Sequence, residues 1–331
     1  MNSTGSLRGD DFYNRLLLYF QSELNVKNGY LHYLKKGKWL LAYNTEKWFV
    51  KEYRKESHFL SQFMLNNNLS KDGFPFNVNF HPIHYRKKLC FEGKYYGLYY
   101  WVDSSSLDYR LYDDRHKALK VLSAFHKYTN QYVYHLQPYI PTFNLLEKWR
   151  KRQKEFLKNA PYFRLFIPES MLATFLYWGN YSLQKLAEME ELWVKKDVCV
   201  VHGDVAHHNF IKNKENDCYL IDFDLIAIAP KIVDDLQLSN RFLHAINWDS
   251  QALWAHDLLY KYKSNLPFLY GLFYPTGIYR EWNRFRRLDI QTQLATWPFL
   301  QQMTFKKHHN RIIFLQKTGE LIQELEKKSI K

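Results

Sequence analysis

The chain from Val198 to Asp224 reads VCVVHGDVAHHNFIKNKENDCYLIDFD, and this stretch is the most informative part of the sequence. It contains two polar clusters, HGD at residues 202–204 and DFD at residues 222–224, and each one follows a short apolar run. Short runs of β-branched and aromatic residues predict strands. Each cluster is therefore expected where a buried strand ends, a position that holds functional side chains on a rigid base.

These clusters, together with Asn209 between them, contain the few groups that phosphoryl transfer requires of a protein. A carboxylate has to accept a hydrogen bond from the attacking hydroxyl, and Asp204 suits that task. Oxygen ligands have to hold Mg²⁺, and Asn209 and Asp222 offer an amide oxygen and a carboxylate. Because aspartate and asparagine are common in turns, an alternative interpretation is that these residues only close hairpins.

The pattern H-G-D-x-x-x-x-N followed by I-D-F-D resembles the aminoglycoside phosphotransferase and choline kinase superfamily, which has a protein-kinase-like fold. The resemblance implies that Asp204 is the catalytic base and that Asn209 and Asp222 bind the metal. It implies a structural role in the catalytic loop for His202. It also places Asp224 at the second acidic position of the metal-binding segment.

Two further features carry this resemblance. Pro230 and the acidic residues after it resemble the stretch in which an aspartate braces the catalytic loop, and Asp235 is the better match to that aspartate. A helix N-cap is a compatible role for it. The chain length and the loop VAHHN at residues 205–209 resemble the spore-coat-associated kinase-like proteins of endospore-forming bacteria.

A lysine and a glutamate near the N-terminus are candidates for binding ATP. Lys51 follows the apolar run WFV, so its amine is well placed to reach the phosphates. Glu56 opens the next predicted helix, and an ion pair with Lys51 would orient the lysine as in kinase-like folds. Lys55 is the competing candidate, and a surface position for these lysines is the alternative.

The adenine site is expected at the end of the last N-terminal strand. Backbone groups near Tyr100, Trp101 and Val102 would bond the adenine edge, although an aromatic core strand is an equal interpretation of these side chains. The segment 28–38, where kinases carry a glycine-rich loop, has only two glycines. This departure favours weak nucleotide binding.

The order of the patterns predicts an α+β, bilobal protein-kinase-like fold. Residues 1–101 are expected to form a nucleotide-binding N-terminal lobe with an antiparallel sheet and a helix. Residues 102–331 are expected to form a C-terminal lobe with the catalytic and metal loops and a helical acceptor region. An edge strand is expected at 78–84, a helical stretch at 168–195, and an acceptor pocket from residues 143–195 and the C-terminal helices.

Charge and hydropathy restrict the classes of ligand and partner that are expected for this chain. The formal net charge of +14 indicates anionic ligands, which favours an acidic acceptor over a cationic aminoglycoside. The basic run at 148–158 alternates with apolar residues, so a solvated helix face is a better interpretation than a nucleic-acid site. No apolar run is long enough to span a bilayer, and residues 1–11 lack the pattern of a secretion signal. A cytoplasmic location is therefore expected.

The sequence thus predicts an ATP- and Mg²⁺-dependent phosphotransferase that acts on a hydroxyl or an amine of a small molecule. The alternative is a weak or inactive kinase-like protein with a binding or structural role, such as a component of the spore coat. The poor glycine loop favours that alternative, whereas the presence of Asp204, Asn209 and Asp222 opposes it. The histidines at 202, 207 and 208 lack the further ligands of a zinc site.

Overall fold

A computed structural model describes residues 4–330 of the chain, and side chains from residue 11 to residue 328. Residues 1–3 of the segment that is predicted to lack a secretion signal therefore lie outside the described residues. Contacts divide the chain into two compact units. The first unit contains the chain through Ser106 together with Tyr134–Ile140 and Phe210–Asp224, and the second contains the remainder.

Ten strands and fourteen helices are present in the described residues. The strands are β1 (Tyr30–Lys35), β2 (Lys38–Tyr43), β3 (Glu46–Tyr53), β4 (Leu89–Phe91), β5 (Lys94–Tyr100), β6 (Ser104–Ser106), β7 (Val198–Val201), β8 (Phe210–Asn213), β9 (Cys218–Leu220) and β10 (Ala227–Pro230). The helices are α1 (Thr4–Leu24), α2 (Glu56–Lys71), α3 (Tyr112–Asn130), α4 (Val133–Leu136), α5 (Leu145–Phe163), α6 (Glu169–Glu188), α7 (Glu190–Trp193), α8 (Ile232–Ala245), α9 (Ser250–Trp254), α10 (Asp257–Tyr260), α11 (Leu266–Phe273), α12 (Thr276–Arg286), α13 (Ile290–Gln301) and α14 (His308–Ile330).

The first unit is built on an antiparallel sheet with strand order β1-β2-β3-β5-β4. Asn44, with a φ of 52°, turns the chain between β2 and β3. Trp39 and Leu41 on β2 are buried against Leu16 and Phe20 of α1. The alternation of apolar residues on β2 therefore fixes which face of the sheet this helix covers.

A second, smaller sheet with order β6-β8-β9 belongs to the same unit. Its strand β9 is tied to the chain before it, because the N–H of Leu220 donates to the carbonyl of Phe76 over 2.9 Å. The DFD cluster begins two residues after Leu220. This sheet therefore fixes the position of residues 222–224 within the first unit.

The second unit is mainly helical. Its one strand pair, β7 with β10, is antiparallel and places Val201 opposite Ala227. Helices α5, α6 and α12 pack closely, and Trp282 and Tyr279 of α12 are fully buried among them. The α+β class, with a β-rich N-terminal region followed by a helical region, is confirmed. Among the described residues, no helix has both the length and the apolarity needed to cross a bilayer.

One predicted element is wrong. The expected strand at 78–84 is reduced to a single bridge between Phe80 and Tyr99, and Pro82–Tyr85 forms a 3₁₀ turn. Pro82 causes this, because proline has no N–H for a ladder and suits the first turn of a helix. The helical stretch expected at 168–195 is confirmed as α6 and α7, which Met189 separates.

Gly179 in α6 allows the close contact among α5, α6 and α12. A Cβ atom at this position would lie 2.3 Å from the hydroxyl of Tyr279, which is itself fixed by a 2.7 Å bond to the carbonyl of Phe175. We expect Gly179→Ala to lower the free energy of unfolding by about 2 kcal/mol, because the packed core has no room for the methyl group.

Gly319 in α14 provides the matched control. A Cβ there would meet nothing closer than 3.9 Å, so Gly319→Ala should stabilise the helix by about 0.5 kcal/mol. Chemical denaturation of both variants checks the pair. Equal effects of the two substitutions would contradict the packing described for α6.

Candidate active site

Asp222 lies between two lysines in the first unit. Its carboxylate oxygens are 2.7 Å from the Lys51 ammonium and 3.1 Å from the Lys38 ammonium. Burial alone would raise the pKa of Asp222, but Lys51 and Lys38 outweigh this effect and hold the pKa well below its usual range. The carboxylate is therefore ionised over the physiological pH range.

The position of Lys38 follows from the register of the β2–β3 hairpin. Lys38 lies directly opposite Lys51 on the neighbouring strand. Two like charges facing each other across a sheet repel, so they require a shared counterion, and Asp222 provides it. The turn before Lys38 contains Gly37, with a φ of 72°, whose carbonyl accepts a 2.9 Å bond from the N–H of Glu52.

Gln62 of α2 completes this cluster. Its side-chain oxygen accepts a bond from the hydroxyl of Tyr53 over 2.9 Å and is 3.4 Å from the ammonium of Lys51. Its amide group donates to Asp224 over 2.8 Å, and Asp224 is also 2.7 Å from Lys51. Lys51, which is 5% exposed, is thus held by two carboxylates and an amide. We call Lys38, Lys51, Gln62, Asp222 and Asp224 the lysine–aspartate cluster.

The expected ion pair between Lys51 and Glu56 is wrong. Glu56 pairs with Lys88, and it accepts a 3.3 Å bond from the hydroxyl of Tyr95. The reason is its position at the first residue of α2, where its side chain is accessible to solvent and to the next strands. The residue that reaches Lys51 is Gln62, farther along the same helix.

The predicted adenine segment begins at Tyr100, the last residue of β5. The N–H groups of Tyr100 and Trp101 donate to the carbonyls of Asn79 and Lys47 over 3.1 Å and 3.2 Å. Among the described residues, none accepts the N–H of Val102. The role of Tyr100, Trp101 and Val102 in binding adenine stays a prediction, and Val102 is the position with a backbone donor left for it.

The HGD cluster in the second unit forms a tight loop after β7. Gly203 has a φ of 79°, and a Cβ atom there would lie 2.2 Å from the carbonyl oxygen of Leu225, so only glycine fits. The N–H of Asp204 donates to the ring of His202 over 3.3 Å, and the side chain of Asn209 donates to the carbonyl of Asp204 over 2.8 Å. His202 and Asn209 are both buried and hold the loop from either side.

The aspartate that braces this loop is Asp234, and the prediction of Asp235 is wrong. The buried carboxylate of Asp234 accepts bonds from the N–H groups of His202 and Gly203, at 2.6 Å and 3.0 Å, and from the ring of His126. Asp235, one residue later on α8, points elsewhere and accepts the hydroxyl of Tyr262. Successive residues on a helix differ in direction by about 100°, so one position decides which carboxylate meets the loop.

The pKa values of the two aspartates move in opposite directions. Burial opposes the charged form of Asp234, but the bonds and charges from His126 and the loop lower its pKa below the usual value. Burial raises the pKa of Asp235, because it has fewer compensating partners. Asp234 is thus the carboxylate whose negative charge the surrounding structure stabilises.

Asp204 is paired with an arginine. One oxygen of its carboxylate lies 2.6 Å from a terminal nitrogen of Arg241 on α8. Burial, and then the nearby charge of Arg280, lowers the pKa of Arg241 below its usual value. About a third of the Asp204 side chain stays exposed, so the carboxylate remains accessible from solvent.

The sequence predictions are therefore brought together in two groups. Lys51, Asp222 and Asp224 meet in the first unit, and His202, Asp204 and Asn209 meet in the second.

Sequence reasoning missed Lys38, Gln62, Asp234 and Arg241, although two signals were present. The hairpin turn at 44–45 sets Lys38 opposite Lys51, and the spacing of seven residues puts Asp234 and Arg241 on one face of α8.

The types of ligand atom present show which metal ion the side chains suit. Asp222 and Asp224 of the first unit offer the carboxylate oxygens that Mg²⁺ prefers. No group of three or more histidine, cysteine or acidic side chains within the described part of the chain is arranged to hold a metal by itself. The two carboxylates fit a magnesium ion that takes further oxygen ligands from phosphates and water, which is its usual mode with nucleotides. The amide of Asn209 as a metal ligand stays a prediction.

Comparison with known proteins agrees with this geometry. Residues 37–266 match the phosphotransferase enzyme family, APH. The chain belongs to this family. That stretch covers the lysine–aspartate cluster, the HGD loop and Asp234, and it confirms the superfamily inferred from the motifs. The comparison with curated protein sequences gave no match. The narrower resemblance to spore-coat-associated proteins stays a prediction.

Solved structures of phosphotransferases share the fold. An aminoglycoside phosphotransferase from Alicyclobacillus acidocaldarius is 16% identical, with a TM-score of 0.72 over 90% of this chain and 93% of that one. A spectinomycin phosphotransferase, in its AMP-bound complex, is 14% identical with a TM-score of 0.61, over 86% and 92%. A GDP complex of an aminoglycoside 2'-phosphotransferase is 14% identical with a TM-score of 0.55, over 96% and 98%. The kinase-like fold class is thereby confirmed.

Asp234 and Asp235 allow a matched test of the loop brace. We expect Asp234→Asn to lower the free energy of unfolding by about 3 kcal/mol, because it removes a buried charge that accepts two backbone N–H bonds. Asp235→Asn keeps an oxygen for Tyr262 and removes a charge that burial disfavours, so its effect should stay below about 1 kcal/mol. Urea denaturation of both variants gives the comparison, and a larger loss in Asp235→Asn would restore the original assignment.

Proposed function

We propose that this member of the phosphotransferase family transfers the γ-phosphoryl group of ATP, with Mg²⁺, to a hydroxyl or an amine of a small molecule. The observation that carries the proposal is the ionised carboxylate of Asp222, held beside Asp224 by Lys38 and Lys51. Such a cluster is costly to assemble without a ligand that uses its charges. We assign nucleotide binding to residues 1–101, and catalysis and acceptor binding to residues 102–331.

In this proposal the two lysines bind the phosphates. Lys51 and Lys38 lie side by side on neighbouring strands, and both ammonium groups are held by carboxylates in the resting state. Phosphate oxygens offer them a stronger anionic partner. Lys38 also accounts for the poor glycine loop, because an ammonium at this turn supplies charge where other kinases use backbone N–H groups. Val102 would offer its N–H to the adenine edge.

Asp222 and Asn209 are the proposed magnesium ligands, with Asp224 as a further carboxylate. A bound Mg²⁺ neutralises negative charge that develops on the transferring phosphate. Ionised carboxylates are needed for this, and the low pKa of Asp222 ensures that one is present. Gln62 keeps Asp224 in place through its 2.8 Å bond.

Asp204 is the proposed base. The acceptor oxygen forms a bond to the γ-phosphorus as the bond from that phosphorus to the bridging oxygen breaks, and ADP leaves. The proton of the acceptor passes to the carboxylate of Asp204. Asp234 fixes the backbone of the loop and Arg241 fixes the carboxylate, so the base is positioned before the acceptor binds.

Asp204→Asn tests the proposed base. In a screen of small alcohols and amines with ATP and Mg²⁺, measured by ADP release, we expect kcat to fall at least about 100-fold, since the amide cannot accept the proton. The thermal shift caused by ATP and Mg²⁺ should persist. Asp113→Asn, at an exposed position on α3, is the control and should retain full activity.

The same screen separates catalysis from the alternative function. Unchanged ADP release in Asp204→Asn would remove this residue as the base. Absence of ADP release with every acceptor, together with absence of a thermal shift at millimolar ATP, would favour a non-catalytic binding or structural role such as a coat component.

A pair of lysines in one turn tests the proposed phosphate site. Lys38→Ala removes a charge beside Asp222 and should raise KM for ATP about tenfold, the usual worth of a charge-assisted hydrogen bond. Lys36→Ala, two residues earlier and exposed, should change KM less than about twofold. Steady-state kinetics at saturating acceptor give both values. Equal effects would show that only the general positive charge of this turn matters.

A further inference from the structure

A cavity of about 720 Å³ opens in the second unit, which is within the size range of small-molecule sites. Its walls come from the start of the unit near Leu107, from α8, from α12 and from the chain around α13 and α14. Arg241, the partner of Asp204, is one of its lining residues. None of the lining residues falls within 143–195, so the expected contribution of that segment to an acceptor pocket is absent from this cavity.

Positive charge dominates the cavity wall. Its lysine and arginine residues are Arg110, Arg241, Arg280, Lys307 and Arg311. One carboxylate, Asp108, lines the cavity and pairs with Arg110. Two more lie just behind the wall, Asp204 with Arg241 and Glu281 with Arg280. Lys307 and Arg311 have no carboxylate partner among the described residues.

The positive charges of the cavity wall lower the pKa values of neighbouring titratable groups. Burial, followed by the charges of Lys307, Arg311 and Arg280, lowers the pKa of His244 to about 4. Burial, followed by Arg311, lowers the pKa of Lys307. The wall around these residues therefore has a positive potential that an anion would relieve.

Three polar atoms of lining residues lack a hydrogen-bond partner in the described structure, and all three are buried from solvent. They are one terminal nitrogen of Arg311, the indole nitrogen of Trp248 and the hydroxyl of Thr276. Arg311 is only 3% exposed, and its other terminal nitrogen donates to the carbonyl of Met303 over 3.2 Å. Buried polar groups in folded proteins are nearly always bonded, so the positive charge of Arg311 is only partly satisfied by the protein.

The cavity also has an apolar side. Trp248 and Phe299 line it, and the guanidinium of Arg311 lies 4.7 Å from the ring centre of Trp248. Asn247 and Trp248 both have left-handed backbone angles, with φ of 53° and 63°. Such angles are costly for a bulky residue and concentrate at ligand sites. The apolar part of a ligand could therefore pack against the indole of Trp248, next to the charged group of Arg311.

From these observations we propose that the cavity binds the phosphoryl acceptor, and that the acceptor is an amphipathic anion. Its anionic group pairs with Lys307 and Arg311, and its apolar body packs on Trp248 and Phe299. Its hydroxyl is directed to the side of the cavity where Arg241 holds Asp204. This inference rests on the proposed phosphotransferase function and adds the chemical class of the substrate.

Three probes of equal size and different charge test the proposal. They are 4-(hydroxymethyl)benzoate, the neutral 1,4-benzenedimethanol and the cationic 4-(hydroxymethyl)benzylamine. Dissociation constants are measured by ligand-observed NMR without nucleotide, and ADP release is measured with ATP and Mg²⁺. We expect the benzoate to bind at least about tenfold more tightly than the diol, and the amine to bind most weakly.

Neighbouring lysines provide the variant and its control. Lys307→Met should remove most of the preference for the benzoate, whereas Lys306→Met, at an exposed position outside the cavity wall, should preserve it. Arg311→Met should act like Lys307→Met, and Arg311→Lys should restore part of the preference. Because Arg311 is buried and its loss can impair folding, Lys307 decides the result.

The outcomes are distinguishable. Equal or tighter binding of the diol or the amine, failure of all three probes to bind at up to about 10 mM, or a preference that survives Lys307→Met would each overturn the proposal. A benzoate preference that depends on Lys307, with no ADP release from any probe, would support the anion site and count against the phosphotransferase function. ADP release from the probes with no preference for the benzoate would support the phosphotransferase function and count against the anion site.

Discussion

A buried carboxylate holds the candidate catalytic loop. Asp234 is inaccessible to solvent and accepts the N–H groups of His202 and Gly203, the two residues that precede Asp204. A loop that leaves a strand end has backbone donors without partners, and a charged acceptor is the strongest way to satisfy them. Gly203 is required at the same point because a side chain would meet the carbonyl of Leu225. Asp234 and Gly203 together fix the backbone position from which the Asp204 side chain extends.

Charge compensation is the second theme, and it differs between the two units. In the lysine–aspartate cluster, two ammonium groups and two carboxylates balance each other, and the cluster can exchange one anionic partner for another without leaving a charge unpaired. Around the cavity of the second unit the balance is incomplete, since Lys307 and Arg311 have no carboxylate partner in the part of the chain that the structure describes. A balanced cluster suits a nucleotide with its metal, and an unbalanced wall suits a ligand that brings negative charge of its own.

The two wrong site assignments have one cause. Glu56 is predicted because it opens the helix after Lys51, and Asp235 because it matches the family's stretch after Pro230. Each of them lies on a helix, where packing sets the direction of the side chain. On α2 the residue that reaches Lys51 is Gln62, which has no charge and so carries no sequence signal of an ion pair. On α8 a shift of one residue exchanges the loop brace for a partner of Tyr262.

The α+β class, the family and the two polar clusters follow from the sequence, because apolar runs before HGD and DFD predict strand ends and the spacing to Asn209 is typical of this family. Tertiary packing selects the helix side chains that reach these clusters, since a difference of one or two helix positions changes the direction of a side chain by 100° or more. It also decided the charge of the cavity wall, because Arg241, Arg280 and Arg311 are far apart in sequence and only packing of α8, α12 and α14 gathers them.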